Sequence, residues 1–345
     1  MPSRRQFLQR TALGALAPGL MLHRSHTPPP LVKPPRLRPG DSVGVISPAG
    51  AVYDAATLGR VRERLHSVGL RTVFGPNALD RRGYLAGTDE ARAADLHQMV
   101  TNPGIQAILG LRGGWGSARL LPLLDYDLIR AHPKVLLGYS DITSLLIACY
   151  ARAGLVTVHG PTGVSTWNAF TTDYLRQLLF DATPVRFEPP NTPASPSAPP
   201  PMQARTLVPG RARGRLVGGN LTVLSALIGS PYLPDWTDHI LFLEDIDEST
   251  YRIDRMMTHL RLAGVLERLS GLVFGACTDC AASEGSRRSL SLREVLLDHL
   301  EPLGVPSFQG AMIGHIRDKF SVPIGVEAEL DAEACTVRLL EPAVV

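Results

Sequence analysis

Four stretches of the chain place a reactive side chain, or bare backbone, directly after an apolar run. KVLLGYSDITS ends its run on Gly138, with Ser140 at the lip of a helical segment. ILGLRGGWGSARLL continues into Gly113, Gly114 and Gly116. In ILFLEDIDEST the first acid is Glu244, and in GAMIGHIRDKFSVPIG His315 follows Gly314. Strand ends of this kind are where α/β proteins assemble sites. A serine hydroxyl is a poor nucleophile until a nearby base takes its proton. An imidazole titrating near neutrality suits that task, and a carboxylate on its other nitrogen fixes the tautomer. Ser140, Glu244 and His315 thus supply the residue types of a nucleophile, base and orienting acid.

Each stretch has a second reading. Ser140 is equally a helix N-cap with Asp141 in the first turn, and the G-x-S-x-G of a nucleophile elbow is absent. The glycine stretch lacks the G-K-[ST] of a phosphate loop and the G-x-G-x-x-G of a dinucleotide fold. It reads either as a turn or as a source of oxyanion-binding N–H groups. Asp245, Asp247 and Glu248 extend the acidic cluster without calcium-loop spacing, and Asp247 and Glu248 read as a solvated loop. His159, at the end of LVTVHG, is the rival candidate for the base. The lone C-x-x-C of Cys277 and Cys280 lacks the further ligands of a zinc site. With Cys149 and Cys335 it makes too few cysteines for a disulfide framework, and the pair reads as packing thiols, with a redox pair outside the cytoplasm as the alternative.

The elements that must hold these groups follow from periodicity. DSVGVI, RTVFG, IQAILGL, KVLLGY and LVTVHG read as strands. Helical spacing at Leu58, Val61 and Leu65, and from Asp89 to Met99 behind Thr88, separates the first of them. Such alternation predicts βαβ units around a mostly parallel sheet. EPPNTPASPSAPPPMQ then breaks all periodicity and reads as a linker. Beyond it, HILFLEDID and GLVFGA read as strands, YRIDRMMTHLRLAGVLE and SLREVLLDHL as helices, and the tail from Ser321 as β-rich. The expected organisation is a leader over 1–35, a nucleophile domain over 36–180, a linker over 181–210 and a second domain over 211–345.

The leader reading rests on SRRQFLQ followed by the moderately apolar TALGALAPGLML. Arg4 and Arg5, with Phe7 and Leu8, resemble a twin-arginine export signal. An extracytoplasmic, periplasmic location is therefore expected, with no stable membrane partner unless the leader is retained. At 345 residues, 44% hydrophobic, 19% charged and a net charge of +3, the chain has an ordinary globular composition. No basic stripe interleaves with aromatics, which excludes nucleic acid as an expected partner.

RGGWGSARLL, GYSDIT, VHGP, VGGN, LFLEDIDESTYRIDRM, VFGACTDC and GHIRDKFSVPIG, in that order, resemble the motif series of the serine LD-carboxypeptidases. These muramoyl-tetrapeptide carboxypeptidases include the microcin C self-immunity peptidases among their relatives. The resemblance runs from about Pro39 to the C-terminus. It implies an α/β fold, with an N-terminal Rossmann-like parallel-sheet domain and a smaller C-terminal β-rich swivelling domain. It also implies catalysis by Ser140, Glu244 and His315, an oxyanion hole from the backbone amides of Gly114 and Asp141, no metal or other cofactor, and a homodimer. The implied reaction releases terminal D-alanine from a murein tetrapeptide through an acyl-enzyme. Trp115 stands where the family often carries Tyr, and Cys277 departs from the commoner residue. Two alternatives remain. One is cleavage of a peptide–nucleotide, for which Trp167 is the available loop aromatic. The other is a murein-peptide binding protein without catalysis.

Overall fold

The runs SVGVI, AILG and VLLG are buried along their whole length, as strands covered on both faces must be. In the computed structural model, which describes residues 29–189, 203–280 and 289–345, they are the middle of a parallel sheet. The first half runs β1 (Ser42–Ile46), α1 (Ala56–Ser67), β2 (Arg71–Phe74), α2 (Asp89–Thr101), β3 (Ala107–Gly110), α3 (Tyr126–Ala131), β4 (Val135–Gly138), α4 (Thr143–Ala153), β5 (Thr157–His159) and α5 (Ala169–Leu179). The parallel strands lie in the order β2-β1-β3-β4-β5. The order reverses between β1 and β3, so loops leaving their carboxyl ends diverge and open a crevice. Thr88 caps α2 by accepting from the Ala91 N–H, as its position before the helix requires.

The second half adds β6 (Arg186–Phe187), β7 (Arg205–Val208), β8 (Arg211–Asn220), α6 (Leu221–Ala226), β9 (His239–Ile246), α7 (Thr250–Leu262), β10 (Gly271–Thr278), α8 (Leu292–Leu300), β11 (Ser307–Gln309), β12 (Val322–Ile324), β13 (Glu327–Asp331) and β14 (Thr336–Leu339). Its curled eight-stranded sheet has the order β6-β14-β13-β8-β9-β10-β11-β7. β8 to β11 are mutually parallel, with antiparallel strands on either side. Among the described residues, no helix is long and apolar enough to cross a membrane.

The two halves are joined by more than a linker. β12 leaves the second half and pairs antiparallel with β5, extending the first sheet to six strands. α4 is buried from Thr143 to Cys149, as an all-round apolar helix must be. Its first residue accepts a hydrogen bond at Oγ1 from the Asn220 N–H at the end of β8, 3.0 Å away. Phe320 packs against Tyr174 of α5 and Phe187 of β6.

Strand pairing occurs inside two of the expected segments. The leader was expected to reach residue 35, yet Val32 already bridges to Leu155, donating to the Gly154 carbonyl at 2.8 Å. The expected linker over 181–210 contains β6 and β7, because RF and RTLV flank the Pro-rich tract and retain enough strand character to pair at the sheet edges. The twin-arginine signal and the Pro-rich residues 190–202 lie outside the described residues.

Candidate functional site

Ser140 follows β4 after Tyr139 and has φ +62°, a left-handed conformation that costs a non-glycine residue about 1–2 kcal/mol. It opens a single 3₁₀ turn, Ser140–Ile142, that feeds α4. The cap positions are Tyr139 and Ile142, and neither side chain accepts a capping bond. Ser140 is therefore not the N-cap that its local sequence allows. Its unfavourable backbone aims the side chain out of the strand–helix turn.

The glycine loop after β3 lies against that turn. A methyl group on Gly113 would sit 2.8 Å from both Cβ and Oγ of Ser140, so only glycine permits the approach. The Gly113 carbonyl accepts from the Gly50 N–H at 3.2 Å. A trans peptide points its C=O and N–H oppositely, so the Gly114 N–H faces away from Gly50. Asp141, at the start of the 3₁₀ turn, has one of the N–H groups that a helix start leaves without an internal partner.

Residues that periodicity does not flag fix this loop. The buried Asp141 carboxylate accepts from the Ser117 N–H at 2.8 Å and from its hydroxyl at 2.7 Å. Burial pushes this carboxyl up, and the Ser117 donors oppose that rise. Arg92, 1% exposed, donates to the Gly116 carbonyl at 2.9 Å and to the Pro48 carbonyl. One buried guanidinium thus ties together the loops that follow β1 and β3. The sequence signal for Arg92 is its place on the inner face of α2, three residues after its ion-pair partner Asp89; the loop carbonyls that it also bonds lie far along the chain.

Glu244 is completely buried in β9, opposite Asn220 of β8. Its Oε2 lies 2.7 Å from His315 Nδ1. Gly314 makes this contact possible, because a methyl there would sit 2.7 Å from the same oxygen. Thr278 donates from Oγ1 to the His315 carbonyl at 3.0 Å, and the Tyr139 ring lies 4.7 Å from the imidazole. Burial alone would raise the Glu244 carboxyl, but the hydrogen bond and charge of His315 outweigh it and hold Glu244 below the usual range. Asp245, next along, is also buried and accepts from Asn220, Thr222 and the Ile246 N–H. Burial and the adjacent Glu244 push it up to about 6.

Ser140 and His315 line one cavity of about 430 Å³, with Gly113, Gly114, Tyr139 and Arg112 among its walls. Cys277 and Cys280, read as packing thiols with a redox pair as the alternative, are joined in a disulfide. A C-x-x-C at the end of β10 turns back on itself, bringing the two Cα atoms within 5.3 Å, well inside bridging range. Lys319 is a further residue that the sequence reading missed. Its buried ammonium lies 4.2 Å from the Tyr139 ring centre, and burial pushes it down to about 8. Trp167 packs against the core and donates to the Thr162 carbonyl at 2.9 Å.

His159, the rival base, is 1% exposed and wedged between Tyr139 and Phe242, with both ring nitrogens unpaired among the described residues. Burial pushes it down to about 4, so it is neutral at physiological pH. Its folded value lies below the unfolded 6.5, so its contribution to stability is complete above pH 6.5 and is lost as pH falls through about 4. Replacing His159 with Leu is expected to remove roughly 3 kcal/mol of acid-induced destabilisation across that window. Urea unfolding of both proteins at pH 7 and pH 4 measures this. Equal losses in the two proteins would refute it.

The sequence matches the LD-carboxypeptidase N-terminal domain over residues 43–160 and the LD-carboxypeptidase C-terminal domain over residues 213–330. It is 38% identical over 304 residues to the probable murein peptide carboxypeptidase of Bacillus subtilis (strain 168), covering 87% of this chain and 91% of that relative. It is 30% identical over 346 residues to the microcin C7 self-immunity protein MccF of Escherichia coli, covering 93% and 98%. The crystal structure of the muramoyltetrapeptide carboxypeptidase from Oxalobacter formigenes superposes with a TM-score of 0.73 at 28% identity, over 86% of this chain and 97% of that one.

Proposed function

Because the chain belongs to the LD-carboxypeptidase family, we propose that it is a serine carboxypeptidase that releases terminal D-alanine from a murein tetrapeptide. The observation that carries this reading is a histidine bonded to a buried glutamate that shares a cavity with a serine held at positive φ. With Nδ1–H donated to Glu244, the imidazole keeps its lone pair on Nε2. Nε2 takes the Ser140 proton as Oγ attacks the carbonyl carbon of the penultimate residue. The amides of Gly114 and Asp141 receive the oxyanion. Collapse breaks the C–N bond, and His315 returns its proton to the departing amine of D-alanine. Water, activated by the same nitrogen, then hydrolyses the Ser140 ester and restores the enzyme.

A relative and a solved structure named for murein peptides support this substrate. The packed position of Trp167 also favours it, since that ring is engaged with the core. The Arg4 and Arg5 pattern supports work outside the cytoplasm. Purified protein incubated with murein tetrapeptide should release D-alanine, and the Ser140→Ala protein should not. No release by the wild type would overturn the assignment.

Gly113→Ala tests the loop. Its methyl group must displace Ser140 or the loop, and misplacement by an ångström can cost about 100-fold in rate. We expect kcat to fall by that order while the cooperative unfolding transition is retained. Unchanged kcat would show that the close approach is dispensable.

A further inference from the structure

Hydrolysis of one terminal residue requires a group that recognises the chain end as well as the scissile bond. We propose that Arg112 reads the free C-terminal carboxylate of the substrate, an inference that rests on the carboxypeptidase reading above.

Arg112 is half-buried in the wall of the cavity shared by Ser140 and His315. Its Nη1 donates to the Ala51 carbonyl at 3.1 Å, which fixes the side chain. The guanidinium lies over two glycines. A methyl on Gly50 would be 3.6 Å from Nε, and one on Gly114 would be 3.8 Å from Nη2. Among the described residues, no carboxylate forms an ion pair with it. The other fixed charge in the wall, Asp54, is engaged by Arg60 at 2.8 Å and by the Ala56 N–H. Lys319 is turned to the Tyr139 ring and is not part of this wall. The cavity therefore holds one arginine with most of its donors free.

Its position relative to Gly114 matters most. The terminal carboxylate of the substrate is one residue beyond the scissile carbonyl, a span of at most ~3.6 Å. A reader must then stand beside the oxyanion donors, and Nη2 stands beside Gly114. A planar guanidinium pairs with a carboxylate through two parallel N–H···O bonds, which an ammonium cannot reproduce. An arginine placed here selects peptides ending in a free carboxylate and disfavours internal bonds and capped ends.

The test compares murein tetrapeptide with its C-terminal carboxamide, on the wild type, Arg112→Gln and Arg112→Lys. The wild type should prefer the acid by about 100-fold in kcat/KM, the order expected when one charge-assisted pair is lost at a half-buried site. Arg112→Gln should lose most of that preference through a raised KM for the acid, and Arg112→Lys should recover part of it. An undiminished preference in Arg112→Gln would overturn the proposal. So would an equal loss on acid and amide through kcat alone, which would assign the guanidinium to the oxyanion. The same two peptides are titrated calorimetrically into Ser140→Ala and Ser140→Ala/Arg112→Gln. If the wild type releases no D-alanine, the hydrolase reading fails, and the Arg112 proposal is decided by whether the double variant loses selective binding of the acid.

Discussion

Replacing Ser140 with glycine is expected to abolish D-alanine release while leaving the protein at least as stable as the wild type. The loss should match that of Ser140→Ala, about 10⁴-fold or more in kcat, the scale seen when a triad nucleophile is removed. The stability difference between the two variants is the sharper measurement. Alanine inherits the left-handed backbone at φ +62°, whereas glycine adopts it without a Cβ clash. After the greater unfolded-state entropy of glycine is set against this relief, Ser140→Gly should exceed Ser140→Ala by about 1 kcal/mol. Urea unfolding resolves such a gap. Were Ser140 an N-cap, both changes would remove its capping bond, at a cost of about 1 kcal/mol for alanine and a few tenths for glycine. The caps at Tyr139 and Ile142 carry no side-chain bond, so no such cost is expected. An alanine variant as stable as the glycine variant would show that the positive φ stores no strain, and the account of how the hydroxyl is presented would fall.

The position of this serine was legible because an apolar run, a glycine and a helical segment follow one another within ten residues. Glu244 was legible for the same reason, since four apolar residues carry the first acid to a strand end. Apart from the family resemblance, residue types and periodicity could not distinguish His315 from His159. Both end an apolar run beside glycine, and only tertiary burial separates the histidine wedged between Tyr139 and Phe242 from the one that opens onto the cavity. The Asp141–Ser117 and Arg92–Gly116 bonds were hidden because each spans 24 residues, and local periodicity carries no information at that range. SVPIG read correctly as β structure, but its partner, β5, belongs to the other half of the chain. Pairing is a property of the folded sheet and cannot be read from one strand.

The second large effect is expected at Glu244. Changing it to Gln keeps the volume and removes the charge, and kcat should fall by about 10³–10⁴-fold, as when a triad acid becomes an amide. The glutamine can present either NH₂ or C=O to His315 Nδ1. In the first case the imidazole carries its proton on Nε2, the atom that must accept from Ser140. In the second, the tautomer is right but no charge stabilises the imidazolium. Combined with Ser140→Ala, the second change should cost almost nothing further, because groups acting as a unit are not additive. Stability gives an independent readout. Glu244 is held below the ordinary glutamate range by His315 despite complete burial. A depressed carboxyl contributes stability that is present above its unfolded value and lost as pH falls through its folded one. Glu244→Gln should therefore be less sensitive than the wild type to acid below about pH 4.3, the unfolded glutamate value. A variant with wild-type kcat would remove Glu244 from the mechanism. One that is inactive but shows the wild-type acid profile would instead mean that the pair contributes to catalysis without stabilising the fold.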